Sequence, residues 1–332
     1  MRQKHRSWWG KWWMVLKGAT LGCSLAVFCV PAAAQVELPS AKPVPAMQAL
    51  PLPLDQISFE FNERELTRYY YGHSLQRPFL YPLNGPAGRS LTRMGHPRDQ
   101  QSHKHHNSVW ISHQNINGAN FWEDVATNQI VHVELERIED GEDQALLVVR
   151  NEWRSGGVPL LSERRQVTVR HLGNGEWLML LDMRMEAIKN PVTVGQTAFG
   201  FVGVRMAKTI GVRDGGGLIR NSQGGVNEAG CFRLPARWVD YSGPITSRAK
   251  EGITLMDHPS NFSHPTPFHV RDDGWMGASP TLAGARVISL ENPLELRYGL
   301  YVHGSVPTAA KIEEVFELFV KMPRVNLQRK IR

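Results

Sequence analysis

WLMLLDMRMEA, residues 177–187, decides how this chain folds. Leu181, Met183, Met185 and Ala187 alternate with Asp182, Arg184 and Glu186. A period of two puts the two sets on opposite faces of an extended segment. One face is apolar and the other charged, so the stretch predicts a strand with one buried and one wet face. Immediately before it stands Asn174-Gly175, and before that residues 165–171, a second strand-like run. Asn-Gly tolerates the positive φ angles of a two-residue hairpin turn, so the two runs pair antiparallel. Residues 130–137 and 145–153 flank Asp140-Gly141 in the same way, and Leu294, Leu296, Tyr298, Leu300 and Val302 alternate near the end. Helical spacing is convincing once, at Ile312, Val315, Phe316 and Phe319 after Pro307, with Lys and Glu on the other side. These patterns predict an all-β protein, a large antiparallel β-sandwich with one C-terminal amphipathic helix packed on it as a lid or edge cover. Glycine clusters at 215–217 and 224–225 lack the strand-glycine-helix context of a nucleotide fingerprint and read as loops.

The N-terminus follows other rules. Arg2, Lys4, Arg6, Lys11 and Lys17 come with no acid, residues 18–30 are apolar, and Pro31-Ala32-Ala33-Ala34 closes the run. This is the layout of a Sec-type signal peptide, residues 1–34, cleaved after Ala34. Its apolar run is too short to span a bilayer. The expected location is periplasmic or secreted, with no stable membrane insertion after cleavage. The leader holds five of the 38 basic residues and none of the 31 acids, leaving 33 basic against 31 acidic residues and a formal charge of +2 in place of +7. That removes the basic field a nucleic-acid partner needs. Cys23 and Cys29 leave with the leader and Cys231 stands alone, so the mature chain has no internal disulfide and depends on core burial. Residues 35–56, with prolines every few positions, read as a flexible tether. Residues 57–325 then form a single sandwich domain and 326–332 a basic tail.

Chemistry concentrates in HKHHNSVWISHQNINGANFW, residues 103–122, which carries His103, His105, His106, His113, Trp110 and Trp122 with Asn115, Asn117 and Asn120. Imidazoles, indoles and amides without an aliphatic run suit the lining of a site. On a strand, His103 and His105 share a face and can converge on one ligand or one divalent metal. A metal needs a third ligand from His106, His113 or a distant segment, and the glutamate that follows H-x-H in cupin-type sites is replaced here by Asn107-Ser108-Val109-Trp110. General acid or base work is the competing use, since imidazole titrates near neutrality. No cofactor is required by the sequence.

A second cluster, DHPSNFSHPTPFHVR at residues 257–271, brings Asp257, His258, Asn261, His264, His269 and Arg271 together with three prolines that fix the loop. Arginine offers a planar donor fork for a carboxylate or vicinal hydroxyls. Between the clusters, Arg237-Trp238-Val239-Asp240-Tyr241 sets aromatic rings beside charges, as sugar stacking or a strand-borne ion pair requires.

Taken in order, PFLYPLNGPAG, Thr92-Arg93, the histidine stretch, RWVDYSG and GITLMDHPSNFSHPTPFHVR resemble the DUF6807 family, also labelled PmoA family or methane oxygenase PmoA. The resemblance runs roughly from Tyr69 to His303. His103, His105, His106, Trp110, His113, Asn117, Gly118, Phe121 and Trp122 fit the first family motif, and Asp257, His258, Pro259, Asn261, Pro265, His269 and Arg271 fit the second. Ser102 stands where the family has an acid, Lys104 where it has proline and Asn107 where it has a basic residue. The resemblance implies a galactose-mutarotase-like supersandwich and a carbohydrate or glycoside substrate. The oxygenase label implies a multi-helix membrane protein, which a chain with no spanning segment after its leader does not match.

Three readings follow. The first is an exported carbohydrate-active enzyme, an epimerase, lyase or hydrolase, with His105, His106, Asp257 and His269 as acid–base groups. Arg93, Trp110, His113, Asn117, Trp122, Asn261 and Arg271 would then hold the sugar. The second is a non-catalytic carbohydrate-binding module, and the third a metal-dependent redox enzyme with His103 and His105 as ligands. The sequence leaves the oligomeric state open.

Overall fold

The structure, a computed structural model, describes residues 43–328. The leader expected at 1–34, the start of the tether up to residue 42 and the tail residues 329–332 lie outside the described residues.

The strand quoted first, Glu176–Ala187, occupies the middle of an eight-stranded antiparallel sheet. Across that sheet the order is Leu218–Asn221, Trp238–Pro244, Lys250–Asp257, Leu294–Gly304, Glu176–Ala187, Val158–Gly173, Gln144–Ser155 and Asn128–Glu139. Leu181 sits opposite Val167 on one side and Tyr298 on the other. Asn174 and Gly175 take φ of 53° and 77°, the left-handed pair the hairpin needs.

A nine-stranded sheet lies against it. Its order is Met47–Leu52, Gln56–Phe61, Arg64–Tyr70, Phe79–Leu83, Val109–His113, Gly200–Arg205, Trp275–Ala278, Pro267–Arg271 and Leu234–Pro235. Val109, Ile111, Val202 and Val204 from this sheet and Met179, Leu181, Met183 and Leu255 from the other belong to one buried core, as an all-β sandwich requires. The sheet begins earlier than the sequence suggested. Met47–Leu52 falls within the expected tether, yet it pairs with Gln56–Phe61 and buries Met47 and Ala49. Its one proline, Pro51, fits because this is an edge strand, where a missing N–H costs no ladder bond.

The even-numbered face of Glu176–Ala187 is only partly wet. Leu178 and Leu180 join Trp238, Met256 and Tyr301 beneath the helix Ala309–Lys321, which buries Ile312, Val315, Phe316 and Phe319 there. Each such side chain contributes roughly 1.5–3 kcal/mol. Thr308 caps the helix by accepting the Lys311 N–H at 3.2 Å. Asp182, expected in solvent, is buried 3.5 Å from Arg297, and burial pushes its carboxyl up to about 6 despite that cation. Arg184 and Glu186, on the face expected to be charged, pair at 2.8 Å. The basic tail also starts docked, with Leu327 buried on Leu146 and Val148. Among the described residues no helix is long and apolar enough to cross a membrane.

Candidate functional site

The floor of the site is the outer face of the nine-stranded sheet. Register places Phe79, Trp110, Gly203, Gly277 and His269 in one row across five strands. The next row is Arg205, Trp275 and Arg271. The two glycines explain the floor. A Cβ on Gly203 would overlap the Trp110 ring, and one on Gly277 would stand 3.3 Å from the Trp275 ring. With only hydrogens there, both indoles lie down on the sheet, and Trp110, Trp275, Trp122 and Phe79 form a buried aromatic cluster.

Above that floor, a short helical turn, Gln100–His105, carries His103 and His105, and His106 follows directly. This replaces the extended geometry expected for the H-x-H pair, so His106 does not point away. It stacks on Trp110 at 4.8 Å and 23°, and His103 stacks on His106 at 4.3 Å and 21°. His105 stands edge-on to both. His269, arriving from the second cluster, lies on Trp275 at 4.4 Å and 24°. One buried cation holds the stretch in place. Arg77 donates to the carbonyls of His105, Phe121, Trp122 and Glu123, to Asn107 Oδ1 at 2.7 Å and to Asp124 Oδ1 at 3.0 Å.

Between these groups is a cavity of about 230 Å³. Trp122, Phe199, His269 and Phe232 follow one another around its wall, with neighbouring centroids 4.8–6.0 Å apart. Glu123 lines it beside Trp122, and Arg233 and Arg271 line it beside Phe232. Nδ1 of His106, Nδ1 of His269 and Nε1 of Trp275 are buried without a hydrogen-bond partner among the described residues. Buried polar groups normally find one, so unpaired atoms around a single cavity suggest a ligand or water that would complete them.

Burial sets the charge states. The His106 imidazole is held well below its ordinary range by burial, reinforced by His103, His105, Arg205 and Arg93. His269 is pushed down to about 3 by burial and then by Arg233 and Arg271. Both rings are neutral at pH 7, able to accept a proton or share a hydrogen bond. His103 turns Nδ1 toward Asp273 at 3.5 Å, and Arg205 approaches the same carboxylate at 3.5 Å. Burial alone would raise the Asp273 carboxyl, but its contacts with His103, Arg205 and Arg271 outweigh burial and hold it below the usual range.

Among the described residues no three His, Cys, Asp or Glu side chains are disposed around one point. The pair His103 and His105 finds no third ligand there.

Of the residues singled out in the sequence, the structure gathers His103, His105, His106, Trp122, His269 and Arg271 around the cavity, with Trp110 beneath His106. Arg93 is tied up with Asp99 at 2.7 and 3.1 Å. His113 is inside the core, its Nε2 2.9 Å from Thr281 Oγ1 and its Nδ1 accepting the Asn115 N–H at 3.0 Å. Asn117 forms an exposed turn, accepting the Thr193 N–H at 2.7 Å. Asp257 ends a strand of the other sheet, and Asn261 is in the loop that follows it. Asp257 accepts from Asn261 Nδ2 at 2.7 Å and from the Thr266 N–H at 2.9 Å, with His264 Nδ1 at 2.8 Å. Phe199, Phe232, Arg233, Asp273, Trp275, Arg205, Glu123 and Arg77 were missed. Asp272-Asp273-Gly274, with Gly274 at φ 97°, is the three-residue hairpin loop that sets Arg271 opposite Trp275.

Fold and site together define an all-β sandwich protein with a small-molecule cavity on the outer face of one sheet. The chain belongs to DUF6807, a family of unknown function, which residues 56–317 match. No curated protein matches the sequence. Similar solved structures include heparan sulfate lyase HepC from Pedobacter heparinus, at 10% identity and a TM-score of 0.41, covering 80% of this chain and 38% of that one. A mutant of the same lyase gives 8% identity and a TM-score of 0.40 over 81% and 38%. The chain thus spans well under half the length of those proteins.

Proposed function

We propose that the protein is an exported carbohydrate-active enzyme that holds a single sugar ring in this cavity and exchanges a proton with it through His103. The observation that carries the reading is His103 itself, lining the cavity with Nδ1 facing the half-buried Asp273 carboxylate 3.5 Å away. A carboxylate near one nitrogen stabilises the imidazolium that forms when the other nitrogen takes a proton. Glu123 supplies a second carboxylate in the same wall. Asp257, whose oxygens are committed to the scaffold, is not the counterpart. The volume sits below the range of about 300–1,000 Å³ typical of drug-sized ligands, which suits one pyranose. Aromatic walls match the apolar face of a sugar, and the unpaired imidazole and indole nitrogens match its hydroxyls. Export rests on the leader at residues 1–34.

The test is a panel of neutral and acidic monosaccharides and disaccharides incubated with residues 35–332, with products followed by chromatography. Turnover of at least one is expected, falling on the order of 10²-fold in His103→Ala without loss of fold. Binding without turnover would make this a sugar-binding module. Absence of both would remove the carbohydrate reading.

A further inference from the structure

The geometry points to a sugar that carries a negative group, with Arg233 as the residue that selects it; this rests on the saccharide reading of the same cavity. Charge in the wall is divided. The single acid of the lining, Glu123, follows Trp122, and the two guanidiniums, Arg233 and Arg271, flank Phe232. Phe199 and His269 lie between the two sides.

The two arginines are not equivalent. Arg271 is compensated by Glu228, Nε to Oε1 at 3.1 Å. Arg233 has no carboxylate partner among the described residues, and its guanidinium lies over the Phe232 ring at 4.9 Å. Further guanidiniums, Arg93 paired with Asp99 and Arg205 beside Asp273, stand near the neighbouring imidazoles. Arg205 and Arg93 act on His106, while Arg233 and Arg271 act on His269, where Asp273 opposes them. Neutral imidazoles bring no charge of their own. An exposed guanidinium fork with no carboxylate of its own at the edge of the cavity favours a carboxylate or another oxyanion over a hydroxyl.

The backbone adds an independent observation. Arg233 sits at φ 58°, in the left-handed region that glycine or asparagine adopts far more readily than arginine. Its N–H donates to the Phe268 carbonyl at 2.7 Å, which fixes this conformation at the end of the strand bearing His269. A long cationic side chain kept where the fold would accept glycine is a strained position, of the kind that gathers at binding sites. Arg233→Gly therefore separates the two roles, because it removes the guanidinium and relieves the backbone at once.

The experiment measures affinity by calorimetry for glucose, glucuronate and glucose 6-phosphate, and for the galactose counterparts, on wild type, Arg233→Gly and Arg233→Asn. Wild type should bind an anionic member at least about tenfold tighter than its neutral partner. Uronate against phosphate tells which oxyanion fits. Both variants should lose that preference while their melting temperatures hold or rise. Equal affinity for neutral and anionic sugars, or a preference that survives both substitutions, would overturn the inference and leave the saccharide reading standing. A lowered melting temperature in both variants would assign Arg233 to the fold and overturn it too. No binding of any sugar would remove both.

Discussion

Residues 103–122 and 257–271 look alike as sequence, each rich in histidine and amide, each with an aromatic residue and a charge. In space they are put to different uses. The first stretch delivers His103, His105, His106 and Trp122 to the cavity. The second delivers only its last part, His269 and Arg271, while Asp257, Asn261, His264 and Thr266 close on one another and on Arg297. What separates them is whether polar atoms are already paired. Both oxygens of Asp257 are spoken for, whereas Nδ1 of His106 and of His269 is not. A satisfied network stabilises a fold, and an unsatisfied ring around a cavity awaits a ligand.

The comparison is broken most decisively at Asp257. Asp257→Ala strips a fully buried carboxylate from the Asn261 amide, the His264 ring and the Thr266 N–H. Stranding buried donors of this kind costs about 3–5 kcal/mol. Urea denaturation should show that loss, and the protein that remains folded should bind sugar as the wild type does. Unchanged stability with abolished turnover would instead return Asp257 to the catalytic group.

Most of the fold was legible, and the reason is local. Alternation along residues 177–187, two Asx-Gly turns and a helical run at 312–319 each report on their immediate neighbours. Asp182 was misread because it is buried beside Arg297, with Arg324 of the segment after the helix acting on it, both more than a hundred residues away. The site was half legible. Histidine and tryptophan density marked residues 103–122, but the floor depends on Gly203 and Gly277, which become informative only when register sets Trp110 and His269 in their row. Arg77 gave no signal either, since its partners are mostly backbone carbonyls 28 to 46 positions downstream.

Acid sharpens the contrast. His113, in the scaffold, and His269, in the site, are both pushed down to about 3, in each case mainly by burial. Unfolded histidine titrates near 6.5, so between those values the unfolded chain binds the extra proton and the folded chain does not. The stability each neutral ring contributes is complete above about pH 6.5 and is lost as pH falls toward 3. Going from pH 7 to pH 5 should cost about 2 kcal/mol per histidine. His113→Gln and His269→Gln should each flatten the wild-type dependence by that amount in paired urea melts. The variant comparison isolates this effect from Asp182, whose raised carboxyl pulls stability the other way as pH rises. Saturating sugar should alter the His269 contribution and leave that of His113 unchanged.

The smallest effect tests whether the first stretch also divides into site and scaffold. Asn117 fits the family motif and was read as a sugar contact, yet its side chain accepts the Thr193 N–H and its φ is 51°. Its N–H donates to the Thr193 carbonyl at 2.8 Å, and Gly118 follows at φ 84°. This is a left-handed turn pinning the loop to the small sheet of Val192–Val194 and Arg286–Ile288, at a position where asparagine is tolerated and most residues are not. Asn117→Ala should cost about 1 kcal/mol, from a strained φ and one exposed hydrogen bond. Asn117→Gly, which keeps the turn, should cost less. Sugar affinity should be the same in both. Loss of affinity in Asn117→Gly at wild-type stability would mean that the amide reaches the ligand after all, and that the boundary between site and scaffold lies beyond His113.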